Sequence, residues 1–359
     1  MRIAGTFDAC STAPNRGSRA LPRVGCGAAG NHVALEPLLR ALSDGRTHSG
    51  EELAHAFGVT RAAVWKQVAK LADFGLDVEG VPGSGYRLRR PLDLLDAAAV
   101  RAALDAGVAA RLAKLEVFTE IDSTSTYLRA APPPPGKLDV CLAEFQTVGR
   151  GRRGRPWTAP LGSGLCMSVG WQFAGMPAGP GPLTLAAGVA ARRALERVAG
   201  ITIGLKWPND LVFDERKLGG ILLELAAEAH GGAHVVVGIG LNVSLPEGLA
   251  RSLSDWPRGA VDLKTALGRE PPPRAVLAAS LVDELAALFV DYPAHGFAAY
   301  RTEWRSADFL RGRAVRLDDP GGTIDGRAVG IDADGALLVE ASGGRKRVVA
   351  GDVSVRSTR

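Results

Sequence analysis

Only four cysteines occur among the 359 residues, and no two of them stand in a C-x-x-C spacing. We therefore expect neither a disulfide framework nor a zinc ribbon, and we predict a reducing, cytoplasmic setting. Long hydrophobic runs are also missing, since no stretch approaches the ~20 apolar residues of a membrane-spanning helix. We therefore expect no integral membrane protein. The apolar (46%) and charged (23%) fractions are ordinary for a globular chain and exclude a disordered one.

An excess of one charge is also nearly absent. The formal net charge is +5, and more than half of it stands in residues 1–30, which carry four arginines against one aspartate. The overall charge is thus weak evidence for nucleic-acid binding, and local clusters must supply the argument. Residues 1–32 lack helical or strand periodicity and predict a disordered extension. An organelle transit peptide, or a start codon assigned too early, are the alternatives for this segment.

Residues 33–92 have the pattern of a winged helix-turn-helix. Leucines at i, i+3, i+4 and i+7 across 35–42 predict a first amphipathic helix. Ser49 is placed to cap a second helix and Thr60 a third, with a glycine turn between the two helices. The β-prone hairpin over 76–88 then predicts the wing.

Three basic residues lie on the third helix, which carries no acidic residue, and three arginines follow the hairpin. This charge pattern predicts that the third helix enters a major groove of DNA. The residues predicted to contact DNA are Thr60, Arg61, Ala62, Lys66 and Arg87. A winged helix used only for protein contacts is the alternative, because a fold does not fix a function.

The rest of the chain divides into two regions. Strand-like and helix-like segments alternate over 93–308, with buried strands predicted at 140–145 and 235–239 and a long helix at 183–198. Periodicity alone does not distinguish an α/β from an α+β arrangement here. From 309 to 359, short β-prone runs between glycine- and aspartate-rich turns predict a small antiparallel barrel.

The densest chemical signal is the run 149–157, GRGRRGRPW, directly after a predicted strand. Glycines let backbone N–H groups approach an anion, and arginines supply charge and paired donors, so the run suits a polyphosphate. It is not a Walker A loop, because the Gly-Lys-Ser/Thr ending is missing. A solvated or RNA-binding arginine cluster is the alternative.

Two further motifs follow. The run 206–210, KWPND, places a lysine at a strand end in a rigid turn, which suits a point charge aimed at a phosphate, although such a lysine can also simply face water. The run 236–243, VVGIGLNV, offers glycines for close backbone approach and the amide of Asn242 for a base edge, with plain strand packing as the alternative. His230 and His234 do not predict a helical metal pair, because two glycines separate them.

The order of these motifs, with EIDSTS at 120–125 before them and KLGGIL at 217–222 among them, resembles that of biotin protein ligases. The N-terminal region resembles the winged helix of the bifunctional ligase–repressors. The resemblance implies an α+β protein with a winged helix-turn-helix over 33–92, a central mixed α/β ligase domain over 93–308, and a C-terminal SH3-like β-barrel over 309–359.

The family reaction has two steps at one site. The biotin carboxylate attacks the α-phosphate of ATP to give biotinoyl-5′-AMP and pyrophosphate, and the amine of a carrier lysine then attacks the anhydride and releases AMP. Both steps build charge on oxygens without a protein nucleophile, so cationic clamps, positioning and Mg²⁺ are expected. The implied partners are the biotin carboxyl carrier protein of acetyl-CoA carboxylase, operator DNA and a second copy in a homodimer.

The resemblance also implies roles for individual residues. Arg152 and Lys206 are the implied catalytic residues, the first on the phosphate and the second between the biotin carboxylate and the α-phosphate. The implied biotin-binding residues are Ser123, Thr124, Ser125, Gln146, Gly149, Arg150, Gly151, Arg152, Lys206, Gly220 and Gly240. The implied ATP-binding residues are Arg152, Trp157, Lys206, Asn209 and Asn242, with Trp256 packing near the adenine.

Two positions depart from the family pattern. Ser125 stands where asparagine is common, and Pro156 replaces a common basic residue at the end of the loop implied to close over the intermediate. Two other functions compete with a ligase: a non-catalytic biotin-sensing regulator, and a lipoate or octanoate transferase on the related fold. The presence of both Arg152 and Lys206 argues against a sensor. The motifs at 149–157 and 206–210 together favour biotin over lipoate or octanoate as the substrate.

Overall fold

The computed structural model describes residues 34–355, apart from 176, 178–179, 228–231, 252–255, 257 and 320–321. The predicted disordered extension over 1–32 lies outside the described residues. None of the helices in the described part is long and apolar enough to cross a membrane.

The N-terminal region is a winged helix. Its elements are α1 (Leu35–Leu42), α2 (Gly50–Phe57), α3 (Arg61–Lys70) and a hairpin of β1 (Val78–Val81) and β2 (Gly85–Leu88). The Ser49 side chain accepts from the backbone of α2 and forms a capping box with Glu52, and Thr60 Oγ1 accepts from the backbone N–H of Ala63 at 3.2 Å. Both predicted caps are confirmed, and α3 continues into a short 3₁₀ turn at Leu71–Phe74.

The central region is built on one seven-stranded sheet. Its strands are β3 (Leu112–Ile121), β4 (Leu138–Gln146), β5 (Gly164–Phe173), β6 (Gly204–Lys206), β7 (Asp210–Phe213), β8 (Arg216–Ala227) and β9 (Ala233–Asn242). They lie in the order β3-β4-β5-β9-β8-β7-β6, and only β3 and β4 are parallel. The mostly antiparallel pairing decides for α+β, which periodicity left open, and the predicted strands at 140–145 and 235–239 are confirmed within β4 and β9.

Helices cover both faces of this sheet. They are α4 (Ala97–Ala103), α5 (Ala106–Ala109), α6 (Thr124–Arg129), α7 (Pro180–Ala199), α8 (Leu263–Leu267), α9 (Arg274–His295) and α10 (Ala298–Ser306). Trp171 and Phe173 of β5 pack against Phe289 of α9, and Ser168, an odd number of positions before each of them in the same strand, faces α6. Because strand side chains alternate between faces, the main core lies on the α7/α9 side and α6 covers the other side.

The C-terminal region is a five-stranded antiparallel sheet. Its strands are β10 (Ala314–Asp319), β11 (Gly322–Ile331), β12 (Leu337–Ala341), β13 (Gly344–Val348) and β14 (Asp352–Val355), in the order β13-β12-β11-β10-β14. The predicted antiparallel arrangement is confirmed. The run 347–355, predicted as one strand, is instead parts of two, because β13 pairs with β12 and β14 with β10 at the opposite edge.

A buried ion pair between α9 and β4 also holds the segment that follows the winged helix. Arg274 is 1% exposed and binds Glu144 Oε2 at 2.8 Å, while its Nε donates to the carbonyl oxygen of Asp93 at 2.8 Å. Beside it, the rings of Phe74 and Phe145 meet edge to face at 5.2 Å. The chain that leaves the winged helix is therefore tied to the C-terminal end of β4, which also carries Gln146.

Candidate active site

A cavity of about 420 Å³ lies at the end of β4 and β9. All of the predicted biotin- and ATP-binding residues except Gly149 line it: Ser123, Thr124, Ser125, Gln146, Arg150, Gly151, Arg152, Trp157, Lys206, Asn209, Gly220, Gly240, Asn242 and Trp256. Asp210, Lys217 and Asp352 line it too, although the sequence argument assigned them no role. A volume of this order suits a small organic ligand.

One wall of the cavity is a buried polar network at the start of α6. The backbone N–H of Thr124 donates to Gln146 Oε1 at 2.8 Å, and its hydroxyl lies 2.8 Å from Ser168 Oγ. The Ser125 hydroxyl lies 3.0 Å from the same Ser168 Oγ, and Ser123 caps α6. Ser168, which sequence reasoning missed, was visible only as a polar residue inside an apolar strand. The network holds these side chains still for a polar ligand group.

The glycines of β9 make room for protein side chains. A Cβ on Gly240 would lie 2.3 Å from the Trp157 indole, and a Cβ on Gly238 would lie 2.6 Å from Ser125 Oγ. The close approach that the sequence predicted for a ligand is therefore made by Trp157 and Ser125. Gly149 acts similarly, because its Cβ would lie 2.4 Å from the Trp157 carbonyl oxygen. These glycines seat the aromatic ring and the loop around the cavity.

Lys206 belongs to a buried charge cluster. Its side chain is 10% exposed, with Nζ 3.4 Å from Asp210 Oδ2 and 4.4 Å from the centre of the Trp256 ring. Lys217 Nζ lies 2.7 Å from Asp210 Oδ1. Burial lowers the pKa of Lys206, and Asp210 opposes this. Burial would raise the pKa of Asp210, but Lys217 and Lys206 hold it below its ordinary value. The alternative of a lysine that simply faces water is wrong.

The arginine-rich loop reaches the C-terminal sheet. Arg153 and Arg155 bind Asp352 Oδ2 at 3.1 and 2.8 Å, and Arg152 donates to the carbonyl oxygen of Gly351 at 3.3 Å. Arg152 is the arginine of this group that is turned inward, since its side chain is 28% exposed. Burial lowers the pKa of Arg152, and Asp352 opposes this. One carboxylate, about 200 positions away along the chain, thus anchors the loop over the cavity.

The side chains of two predicted ATP-binding residues already donate hydrogen bonds to backbone carbonyl oxygens of the protein. The Asn242 amide nitrogen donates to the carbonyl oxygens of Val261 (3.1 Å) and Lys217 (3.4 Å). The Asn209 amide donates to the carbonyl oxygen of Ile221 at 2.8 Å. Their NH₂ groups therefore shape the cavity wall, and their contacts with ATP stay predictions.

The described residues contain no group of three or more His, Cys, Asp or Glu side chains that could hold a metal ion. His234 lies in strand β9, and His230 lies outside the described residues. The carboxylates of the cavity are Asp210 and Asp352, and both are paired with basic side chains.

The predicted DNA-contacting residues lie on α3, at its N-cap and on the wing. Arg61, Ala62 and Lys66 are exposed on α3, and Thr60 caps that helix. Arg87, on β2, forms an exposed ion pair with Glu79 across the hairpin at 2.9 Å. Such an exposed pair is weak enough to exchange for a phosphate contact.

A winged helix, a mixed sheet with a cationic cavity and a small antiparallel sheet define a class: a ligase domain joined to a helix-turn-helix domain. Family models agree along the chain. The "HTH domain" model matches 35–87, the "Biotin/lipoate A/B protein ligase family" model 117–242, and the "Biotin protein ligase C terminal domain" model 311–356.

Relatives extend this agreement to nearly the whole chain. The Bifunctional ligase/repressor BirA of Escherichia coli is 37% identical over 91% of this chain and 98% of its own length, and that of Salmonella typhimurium is 37% identical over 89% and 97%. A biotin protein ligase of Aquifex aeolicus, solved with biotin and ATP, superposes with a TM-score of 0.57 at 27% identity, covering 69% of this chain and all of that one. The chain belongs to the biotin protein ligase family, with the domain arrangement of its bifunctional ligase/repressors.

Proposed function

We propose that the chain is an ATP-dependent biotin protein ligase that forms biotinoyl-5′-AMP and transfers biotin to a lysine of a biotin carboxyl carrier protein. The observation that carries this proposal is the cavity itself. In it, the buried cation Lys206 and the inward-turned Arg152 share one space with the polar network of Thr124, Ser125 and Gln146. The full-length similarity to ligase/repressors supports the same function.

In the first step, an oxygen of the biotin carboxylate attacks the α-phosphorus of ATP and pyrophosphate leaves. Lys206 would hold the carboxylate next to the α-phosphate, and Arg152 would stabilise the charge that grows on the phosphate oxygens. In the second step, the ε-amine of the carrier lysine attacks the carbonyl carbon of the anhydride, and AMP leaves with the phosphate oxygen. The arginine-rich loop, anchored on Asp352, would exclude water from the anhydride.

Mg²⁺ belongs to the proposal as a companion of ATP. It prefers oxygen ligands and is commonly held by one or two carboxylates together with substrate phosphates. Asp210 and Asp352 are the carboxylates of the cavity, and because each is paired with basic side chains, the ion would be held mainly by the ATP phosphates and water. When bound with ATP, the ion would neutralise charge on the phosphates.

The polar wall favours biotin over lipoate or octanoate. Thr124 and Ser125 are buried and Gln146 is half-buried, and beyond the bonds of their own network their hydroxyl and amide groups have further hydrogen-bonding capacity that a polar ligand group can use. A ureido ring can use this capacity, whereas an alkyl chain or a dithiolane cannot. The carrier of acetyl-CoA carboxylase is the predicted acceptor, and a homodimer and a cytoplasmic location stay predictions.

The winged helix supports a second activity of the same chain: biotin-responsive repression through operator DNA. The supporting observation is the acid-free exposed face of α3 with Arg61 and Lys66. Replacing both residues by alanine should weaken operator binding and leave ligation unchanged, as measured by gel shift and by carrier biotinylation. An equal loss of ligation would show that the two activities are not separable in this way.

The ligase proposal is tested by ATP–pyrophosphate exchange with biotin, lipoate or octanoate as the acid. Exchange that depends on biotin alone is expected. Exchange with lipoate or octanoate alone would establish the transferase alternative, and no exchange with any acid would favour the non-catalytic sensor.

A further inference from the structure

One aromatic side chain of the winged helix is exposed. Trp65, in the middle of α3, is 59% exposed, and it is the aromatic member of the exposed large hydrophobic residues in the described part of the chain. Its neighbours in sequence, Val64 and Val68, are buried in the winged-helix core. Because those residues already provide the packing of α3, Trp65 is not needed to hold the helix in place. A large apolar side chain left in water marks a contact surface.

The surroundings of Trp65 indicate what the contact is. The exposed positions of α3 are Arg61, Ala62, Trp65, Lys66, Ala69 and Lys70. Positions three and four apart share a helix face, so Ala62 and Ala69 flank Trp65 on that face and leave the indole standing above two methyl groups. Arg61 lies four positions before Trp65, one turn of the helix away.

The charge of the exposed face of α3 indicates what kind of partner it binds. The exposed face of α3 carries three basic side chains and no acidic one, so it complements a polyanion and repels a basic surface. A helix of this width, capped by Thr60 and followed by a wing, fits the major groove of a DNA duplex. Phosphate contacts from Arg61 and Lys66 would position the helix, but they carry no sequence information.

We propose that Trp65 is a sequence-reading residue that contacts the 5-methyl group of a thymine in the major groove. The inference rests on the proposed DNA binding and adds to it the residue that selects a base. The thymine methyl is the apolar group that the bases display in that groove, and an indole flanked by alanines matches it in polarity and shape. Neither Trp65 nor its flanking alanine Ala69 was among the residues that the sequence predicted to touch DNA.

The first experiment selects binding sites from a random-sequence duplex library, using the wild-type protein and Trp65→Ala, each with biotin and ATP. The wild type should enrich a motif with at least one invariant thymine. Trp65→Ala should enrich the same motif with that thymine degenerate, because phosphate contacts and the other base contacts are kept. Trp65→Phe should retain much of the preference, since it keeps an apolar ring.

The second experiment removes the methyl group itself. Replacing the selected thymine by 2′-deoxyuridine should weaken wild-type binding by roughly 5-fold or more and leave Trp65→Ala binding unchanged. The slope of binding against salt concentration should be the same for both proteins, because no phosphate contact is lost. Val290→Ala, which truncates an exposed apolar residue of α9, is the matched control and should behave as wild type. Thermal unfolding and ATP–pyrophosphate exchange of Trp65→Ala should equal those of wild type.

The possible outcomes distinguish a failure of the role of Trp65 from a failure of the proposed repressor function. If the wild type enriches no motif and binds no duplex, the proposed repressor function fails. If the wild type enriches a motif and Trp65→Ala enriches it unchanged with equal affinity, DNA binding stands and the role of Trp65 is wrong. A uniform loss over all sequences without any deoxyuridine effect also overturns the role. So does a change in oligomeric state by sedimentation in place of a change in motif, which would assign Trp65 to contact with a second copy.

Discussion

Gly240→Ala tests whether the catalytic arrangement of the cavity depends on the space that Gly240 of β9 leaves for the Trp157 indole. The added Cβ would lie 2.3 Å from one carbon of the indole, 2.6 Å from another and 2.7 Å from Nε1. Carbon atoms in contact need about 3.5 Å, so the ring must retreat by about 1 Å. Trp157 ends the arginine-rich loop, and its backbone N–H donates to the Gly149 carbonyl oxygen at 2.8 Å. A displaced ring therefore displaces the loop that carries Arg152.

The expected effect falls on catalysis more than on folding. A misplacement of about 1 Å can cost roughly 100-fold in rate, so kcat/KM for ATP in biotin-dependent pyrophosphate exchange should fall about 10- to 100-fold. Overpacking of this kind costs about 1–3 kcal/mol, which lowers the melting temperature by several degrees and leaves the protein folded at 25 °C. Circular dichroism melts and exchange kinetics on the same preparation measure both effects.

A matched control is available in the same sheet. A Cβ on Gly204 of β6 meets its nearest neighbours at 3.7 Å, an ordinary contact, so Gly204→Ala should keep full activity. Adding Trp157→Phe to Gly240→Ala should recover part of the lost rate, because the smaller ring relieves the overlap. Wild-type kinetics for Gly240→Ala would refute the reasoning. The reasoning would also be refuted if Gly240→Ala/Trp157→Phe had no higher activity than Gly240→Ala while Trp157→Phe alone was active.

Three further predictions follow from the site and its surroundings. Lys206→Ala and Arg152→Ala should each lower pyrophosphate exchange by more than about tenfold without loss of fold. Lys264→Ala, at an exposed lysine, is the control and should leave exchange unchanged. Normal exchange in both Lys206→Ala and Arg152→Ala would contradict the catalytic roles given to these residues. Asp210→Asn removes the charge that raises the pKa of Lys206, so the basic limb of the pH profile of kcat/KM should move to lower pH, and an unmoved limb would contradict this. Burial raises the pKa of Asp308 to about 6, so the native state binds the extra proton and wild-type stability falls as pH rises from the ordinary value of 3.8 to about 6. Asp308→Asn should therefore be more stable than wild type by up to about 3 kcal/mol near pH 7.5 and equal near pH 4, as urea unfolding at both values would show.

The winged helix was the most predictable part of the chain, because its signals are local. The caps at Ser49 and Thr60 and the leucine spacing over 35–42 each act within one or two helical turns, and the structure has them as predicted. The family resemblance was equally well founded, since it rests on short motifs such as 149–157 and 206–210, whose order along the chain is specific. Family membership is confirmed by the relatives and the family models.

The sequence by itself therefore determined the local elements of the winged helix and, through the order of its motifs, the family, and it predicted most of the residues that line the cavity. Tertiary structure alone decided how those residues work together. The sequence could not show that Asp352 anchors Arg153 and Arg155, since about 200 positions separate them and only the docking of β14 brings them together. Nor could it show that Gly240 makes room for Trp157, because spacing gives no distance between strands. Capping and periodicity are short-range, whereas burial, ion pairing and steric fit exist only once the chain has folded.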